Sequence, residues 1–367
     1  MKRIFHVISH FELGGAERVA INIARSVNPD YEYHIVEVIR GRSAFTHQLL
    51  LELESAGIHY HRSPIPVYIS FHYVFERLAA LLFPLWFFFL YRKYRPAVIH
   101  THTDIPDLSI YYLRLWQKRL TAKTALVRTI HNTRLWIGME RKGAKIEQMF
   151  QKAQANIAIS ESTADNYQQA YGQRPPIIFN GTEVSNPQPY QELRAGKVNV
   201  VFAGRLEQQK GIDTLVGIIK MLADDDRYFF HIFGSGSLEP MLDELRGLPN
   251  VVIREPLFGL SSYLSSFDYV LMPSRHEGLA TLSIEASLSH TPTIINDCPG
   301  LRDTMPADWP LKVKGNDMEM YRELFKKIIP NGSQQEWGNK AYHYSIQRFT
   351  IQQMQEQYER FYASRTD

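Results

Sequence analysis

Short apolar runs alternate with stretches of helical periodicity along most of the chain. Lys2 to Ile8 reads as a strand: two basic residues, then an apolar run ending at Ser9 and His10, too short for the core of a signal peptide. Gly14 and Gly15 then open a helix whose inner face is Ala16, Val19, Ala20, Ile23 and Ala24, at i, i+3, i+4, i+7 and i+8. Tyr33 to Ile39 reads as a second strand, Phe45 to Ala56 as a helix closed by Gly57, and Ile58 to His61 as a third strand. Pro96 to His100, Ala125 to Ile130 and Ala155 to Ser160 continue the strands. A helix over Glu161 to Tyr171 and a last strand over Ile177 to Gly181 close this half. Such an order predicts a doubly wound, mostly parallel sheet.

The stretch 182–197 has two prolines, polar residues and no periodicity, and reads as a linker. The strand–helix pattern then restarts. Strands are expected over Val198 to Ala203, Tyr228 to Phe233, Val251 to Ile253, Asp268 to Met272 and Thr291 to Asn296, with helices over Ile212 to Leu222 and Leu282 to Leu288. The domains are therefore read as 1–181, a linker 182–197, and 198–343, followed by a terminal helical segment 344–367. In that segment Ile351, Met354, Tyr358 and Phe361 share one face, and Thr350 with Gln353 forms a capping box.

One stretch departs from the rhythm. Between Phe71 and Tyr94, the segment 78–91 is uncharged and largely aromatic, interrupted by Pro84 and followed by Arg92, Lys93 and Arg95. Its apolar run, about 14 residues, falls short of the ~20 that span a bilayer. Two readings stay open: a helix buried against the sheet, or one whose aromatic face dips into an anionic membrane interface through 78–95. Charge sharpens the second. The chain carries a net +3, yet Tyr91 to Lys152 holds thirteen Lys and Arg against four Asp and Glu, so the remainder is net negative. A solvated basic surface explains the same numbers. The single cysteine, Cys298, excludes an intrachain disulfide and a multi-cysteine zinc site, and fits a reducing cytoplasm. No nucleic-acid partner is expected.

Candidate chemistry concentrates in Pro273-Ser274-Arg275-His276-Glu277-Gly278-Leu279-Ala280-Thr281-Leu282-Ser283-Ile284-Glu285. A strand leads into it and a helix leaves it, so Glu277 and Glu285 lie beside a helix N-terminus whose free N–H groups attract anions. Two carboxylates suit no bare anion. They suit a ligand with phosphates for the N–H groups and sugar hydroxyls for the acids; a helix cap and a solvated glutamate are the plainer explanation. Arg205 and Lys210 bracket another strand-to-helix turn, placed to neutralise a diphosphate or to make surface ion pairs. His131 follows a strand at the carboxyl edge of the first sheet, where open α/β sheets bind ligands. The acidic run Asp224-Asp225-Asp226 falls at the opposite edge and reads as a solvated turn, and no other metal-ligand cluster is apparent.

Taken in order, Gly14-Gly15-Ala16-Glu17, Gly204-Arg205-Leu206 with Lys210-Gly211, Gly234-Ser235-Gly236, and Glu277 with Glu285 in an E-x7-E arrangement resemble the retaining glycosyltransferase family 4 over essentially the whole chain. The resemblance implies the GT-B architecture, α/β with two Rossmann-like doubly wound parallel-sheet domains facing across a cleft and a terminal helix crossing back. It implies transfer of a sugar from a nucleotide-sugar donor to a hydroxyl with retention; that chemistry is expected to need no metal or cofactor, and the basic first half with the aromatic helix points to a glycan or lipid-linked acceptor in the cell envelope. Localisation is expected to be cytoplasmic, peripheral at the inner face of the plasma membrane. Arg205 and Lys210 would bind the donor diphosphate, Glu285 the ribose and Glu277 the sugar. Backbone N–H groups of Gly278, Leu279, Ala280 and Thr281 would lie near sugar and phosphates, and Gly234 would line the donor site. Gly15 would approach the phosphates from the first domain, and His131 the sugar near the reacting carbon. Leu279, Ala280 and Thr281 depart from the family's usual Phe and Gly-Leu-Pro, and UDP and GDP both remain open. A nucleotide-sugar epimerase of the same architecture would need no acceptor; a non-catalytic nucleotide-binding protein would dispense with Glu277 and Lys210.

Overall fold

The computed structural model describes residues 1–12, 15–66, 72–118, 121–132, 135–136 and 138–366. Gly14 of the glycine pair and Phe71 at the head of the aromatic segment lie outside the described residues. Two compact units divide the chain, Met1–Gly181 with Ile351–Asp367, and Thr182–Thr350.

The first unit runs β1 (Lys2–Ile8), α1 (Gly15–Ala24), β2 (Tyr31–Glu37), α2 (Ala44–Ser55), β3 (His59–His61), α3 (His72–Tyr94), β4 (Val98–Thr101), α4 (Asp104–Trp116), β5 (Ala125–Ile130), α5 (Glu140–Lys152), β6 (Asn156–Ala158) and α6 (Glu161–Tyr171). The second continues β7 (Val198–Ala203), α7 (Ile212–Met221), β8 (Tyr228–Phe233), β9 (Val251–Arg254), β10 (Tyr269–Met272), α8 (Thr281–Leu288), β11 (Thr293–Asn296), β12 (Lys312–Val313), α9 (Met318–Glu323), α10 (Ile329–Asn331) and α11 (Gln334–Ile346); α12 (Ile351–Thr366) belongs to the first unit.

Both sheets are parallel, ordered β3-β2-β1-β4-β5-β6 and β12-β11-β10-β7-β8-β9. Helices cover both faces of such a sheet, so its strands are buried on both sides and read as continuous apolar runs. Successive side chains of β1 still divide between the faces. Ile4 and Ile8 join Val19, Ile23 and Leu53 with Met354, Tyr358 and Tyr362 of α12, whereas Phe5 and Val7 pack with Phe83, Phe87 and Phe150. Strand order reverses between β1 and β4 and again between β7 and β10. These are the switch points where the carboxyl ends of a doubly wound sheet leave a crevice.

Three expectations need correction. Ile177 to Gly181 is no strand: Ile177 makes a single isolated bridge to Ala158. Pro175 and Pro176 precede it and donate no N–H, which limits the ladder. The stretch 182–197 is no free linker. Gln188 N donates to Ser262 O (2.8 Å), Tyr190 N to Ser266 Oγ (3.0 Å), and the Tyr190 ring lies 5.2 Å from that of Phe267. The terminal segment is not one helix from 344: α11 ends at Ile346, and the unit boundary falls at Thr350, which bridges Thr182.

The aromatic segment also differs from its expected length. Helix α3 has 23 residues with Pro84 inside it, and Val74–Tyr94 is long and apolar enough to cross a membrane by length and composition. Counting only the uncharged run missed the apolar positions beyond Glu76 and Arg77. One face of α3, Ala79, Ala80, Phe83, Phe87 and Tyr91, is core. The opposite face leaves Val74, Leu78, Leu85 and Phe89 in the open, Phe89 at 71%.

Candidate active site

In the second unit the loops after β7 and β10, residues 204–211 and 273–280, rise at the switch point. Gly211 presses the first loop onto the second, and Gly300, in the loop after β11, presses a third loop onto Glu277. Gly211 at φ +70° caps α7, and a Cβ there would overlap the Pro273 carbonyl; Gly300 at φ +75° would do the same to the Glu277 carbonyl. Arg275 N donates to Gln209 O (2.7 Å), and Asn316 Nδ2 holds Pro273 O (2.9 Å). Within this frame Lys210 Nζ donates to Glu277 Oε1 at 2.7 Å, with side chains 20% and 8% exposed. Gln209 Nε2 approaches the other Glu277 oxygen (3.5 Å) and donates to His276 O (3.0 Å). Arg205 is exposed on the same loop, and its guanidinium has no partner among the described residues.

Glu285 lies in the body of α8, partly buried. Burial pushes its carboxyl up to about 7, against the Thr182 side chain, which hydrogen-bonds it and favours the ion. Leu279 and Ala280 turn their side chains inward, and Thr281 opens α8 exposed. The Ala280 N–H donates to Gly300 O (3.3 Å), so it is spoken for within the loop, contrary to its expected role toward a ligand. Gly234 has a packing reason: a Cβ there would overlap the Gly204 carbonyl.

In the first unit the corresponding edge is built of histidines. His6 pairs in register with His100 across β1 and β4, and alternation places His102 on the same face as His100. His6 Nδ1 lies 2.8 Å from His102 Nε2, and His102 Nδ1 lies 3.3 Å from His131 Nε2. His100 bonds Tyr362 Oη and Thr129 Oγ1, both at 2.7 Å. His6, His100 and His102 bring ring nitrogens within 4.8 Å of one another, a cluster not foreseen from the sequence. Their nitrogens already have partners, His6 Nε2 excepted, so the group is a hydrogen-bonded network and not an open donor set for a metal. Burial lowers His6 and His131 to about 3 and His102 well below its usual value, so the rings are neutral at pH 7.

The segment after His131 is anchored by a buried ion cluster. Arg128 Nε meets Asp107 (2.6 Å) and Nη1 meets Glu147 (2.7 Å), while buried Trp136 donates from Nε1 to Glu147 (2.7 Å) and from its backbone N to Asp104 (2.9 Å). Gly15 begins α1 in the open, where a Cβ would meet nothing within 4 Å among the described residues beyond its chain neighbours and its own helix backbone. Packing does not demand a glycine there.

This arrangement has relatives. The model of "Glycosyltransferase Family 4" matches residues 13–186 and that of "Glycosyl transferases group 1" residues 197–329. The chain belongs to glycosyltransferase family 4. It is similar to a 41.2 kDa protein of the cps region of Klebsiella pneumoniae (34% identity over 116 residues, 31% of this chain and 32% of that protein). It is also similar to the capsular polysaccharide biosynthesis glycosyltransferase CapH of Staphylococcus aureus (22% over 299 residues, 78% and 79%). Among solved structures, a glycosyltransferase from Rickettsia africae superposes with a TM-score of 0.77 at 14% identity, covering 99% of this chain and 98% of its own. Anabaena HepE in complex with UDP superposes at 0.76 and 17%, covering 99% and 100%. The two six-stranded sheets are thus the two Rossmann-like domains of a GT-B transferase.

For this family 4 member, the structure brings Lys210 and Glu277 into contact, with Arg205 on the same loop. Gly278, Leu279, Ala280 and Thr281 follow Glu277 directly. Glu285 sits apart on α8 against Thr182. His131 and Gly15 belong to the edge of the other unit. Sequence reasoning missed Gln209 and the His6–His102 pair. The second had a signal: histidines two apart at a strand end, with a third at the matching position of the first strand.

Proposed function

We propose that this transferase moves a hexosyl group from a nucleotide-diphosphate sugar to a hydroxyl of a capsular, lipopolysaccharide or exopolysaccharide acceptor, free or lipid-linked, with retention. The Lys210–Glu277 pair beside the uncovered Arg205 carries the reading. A lysine ammonium has three donors, so Lys210 can hold Glu277 and a phosphate oxygen together. Arg205 adds a planar fork suited to the second phosphate. Glu277 accepts from sugar hydroxyls, Glu285 from the ribose, and His131 touches the sugar near the reacting carbon. The names of HepE, in complex with UDP, and of the capsular relatives support this donor and acceptor class.

In the reaction the bond from the anomeric carbon to the phosphate oxygen breaks and one to the acceptor oxygen forms on the same face. The acceptor's proton passes to the departing phosphate oxygen. Negative charge grows on the diphosphate, where Arg205 and Lys210 stabilise it without a metal.

We further read α3 as a peripheral contact with an anionic membrane, on the cytoplasmic side. Leu78, Leu85 and Phe89 face outward, Arg92 and Lys93 end the helix, and the Arg92 guanidinium lies 5.6 Å from the Phe88 ring centre. Neutralising Arg92, Lys93 and Arg95 should weaken sedimentation with anionic vesicles by about 1 kcal/mol per charge; unchanged binding would remove the membrane from the proposal.

The test of function is a thermal-shift screen of UDP- and GDP-sugars, followed by transfer assays. A donor at 100 times its Kd raises apparent stability by about 2.7 kcal/mol. Product that needs an acceptor and keeps the donor's anomeric configuration is expected. Conversion of the donor alone would make the protein an epimerase.

A further inference from the structure

The histidine network at the edge of the first unit has a direction. Three rings lie in line, His6 Nδ1 to His102 Nε2 (2.8 Å) and His102 Nδ1 to His131 Nε2 (3.3 Å). Burial keeps all three neutral, so each ring carries one proton. Two hydrogen bonds along the line then allow two arrangements. In one, His131 Nε2–H donates to His102, His102 Nε2–H donates to His6, and His6 must carry its proton on Nε2. In the other, His6 Nδ1–H donates to His102, and His102 Nδ1–H donates to His131 Nε2.

The far end decides between them. His6 Nε2 is buried with no hydrogen-bond partner among the described residues. The first arrangement leaves an N–H stranded there, and orphaned buried N–H groups are rare in proteins. The second leaves a lone pair, which costs less. Resting on the reading of His131 as a donor-sugar contact, we propose that His102, oriented by His6, is a positioning residue that fixes His131 as the Nδ1–H tautomer. His131 then presents a hydrogen-bond donor, and not a base, to a sugar hydroxyl. The neighbouring His100 is held outside the line, with both nitrogens on hydroxyls and its ring 4.2 Å from that of His102. It limits the tilt of His102 from the side.

The decisive pair of variants is His102→Asn and His102→Gln. The asparagine amide nitrogen can take the place of Nδ1 and keeps the donor toward His131; the glutamine amide reaches the Nε2 position and keeps only the contact with His6. Long-range proton–nitrogen NMR on histidine-labelled protein reads each tautomer directly. Expected in the native protein is a protonated Nδ1 and bare Nε2 on His131, retained in the asparagine variant. In the glutamine variant His131 should revert toward Nε2–H, with kcat for transfer down roughly tenfold, the weight of one oriented hydrogen bond, and kcat in the asparagine variant within about threefold of native. A proton on His131 Nε2 in the native protein, or equal behaviour of the two variants, overturns the proposal. Full activity in His131→Ala would overturn instead the reading of His131 as a sugar contact, and the NMR result then judges the tautomer relay by itself.

Discussion

Removing Lys210 should destabilise the protein before any donor is present. Lys210 and Glu277 meet at 2.7 Å with side chains 20% and 8% exposed, so both charges are mostly withdrawn from water. At an effective dielectric of about 20 their attraction is roughly 6 kcal/mol, and desolvation of the two ions takes back most of it. A net coupling of about 1–3 kcal/mol remains. Lys210→Ala leaves Glu277 as a buried carboxylate whose other contact is Gln209 Nε2 at 3.5 Å, too long to replace the ammonium. The expected loss is about 2 kcal/mol, or roughly 4–8 °C in Tm for a unit of this size. Adding Glu277→Gln to Lys210→Ala removes the stranded charge and should recover at least half of that loss. Thermal unfolding of the four proteins of this cycle at pH 7, without nucleotide, measures the coupling directly. A lysine reserved for phosphate would give the opposite pattern, with Lys210→Ala as stable as the native chain and no gain from the second substitution. That result would refute the reading of the pair as a preassembled site.

Three further outcomes follow. Arg205→Ala should leave Tm within about 1 °C, since an exposed side chain without partners contributes little, while raising the donor KM roughly tenfold; a large fall in Tm would show a structural role. Gly211→Ala should cost about 2 kcal/mol or more, because φ +70° and the Pro273 carbonyl both oppose a Cβ, whereas Gly15→Ala should fold normally and weaken the donor; equal stability of the two, by urea denaturation, would contradict this. Glu285 holds its proton up to about pH 7 when folded but only to about pH 4.5 when unfolded. The unfolded chain binds fewer protons between those values, so stability should fall as pH rises through that window and level off above it. Glu285→Gln should flatten the slope, and a native slope of the other sign would refute the burial.

Strand and helix positions were legible wherever periodicity was strong, as in β1, α1, β7 and β8. Boundaries moved where pairing, not composition, decides the end. Ile177 and its neighbours have strand composition, yet the two prolines before them leave one bridge. Helices α4 and α5 escaped notice because Pro106 interrupts the first and lysines and glutamates dominate the second; their inner faces show once Leu108, Ile110, Ile146 and Phe150 are seen packed together. The loop carrying Glu277 was readable as a polar turn between a strand and a helix. The contact of Glu277 with Lys210 was not, because 67 residues separate them and only the parallel pairing of β7 with β10 closes the gap. Conversely, Gly234 attracted a ligand role that packing explains.

The two units share one strand order but treat their switch points in opposite ways, and the difference follows from what each edge is proposed to meet. Diphosphate is anionic before and after transfer, so its site gains from fixed cations. Lys210 is held there with a carboxylate beside it, which offsets part of the cost of withdrawing its charge from water. Glu277 answers both needs: it pairs with the lysine and leaves its second oxygen for a neutral hydroxyl. On the proposed reading His131, at the edge of the first unit, meets the sugar ring, where positive charge develops as the bond breaks. A cation there would oppose that charge, and a permanently ionised base would compete for the acceptor's proton. Burial of His6, His102 and His131 avoids both by keeping the edge neutral at working pH. A substitution that lets one of these rings charge should therefore slow transfer more than it weakens donor binding, whereas loss of Lys210 should do both.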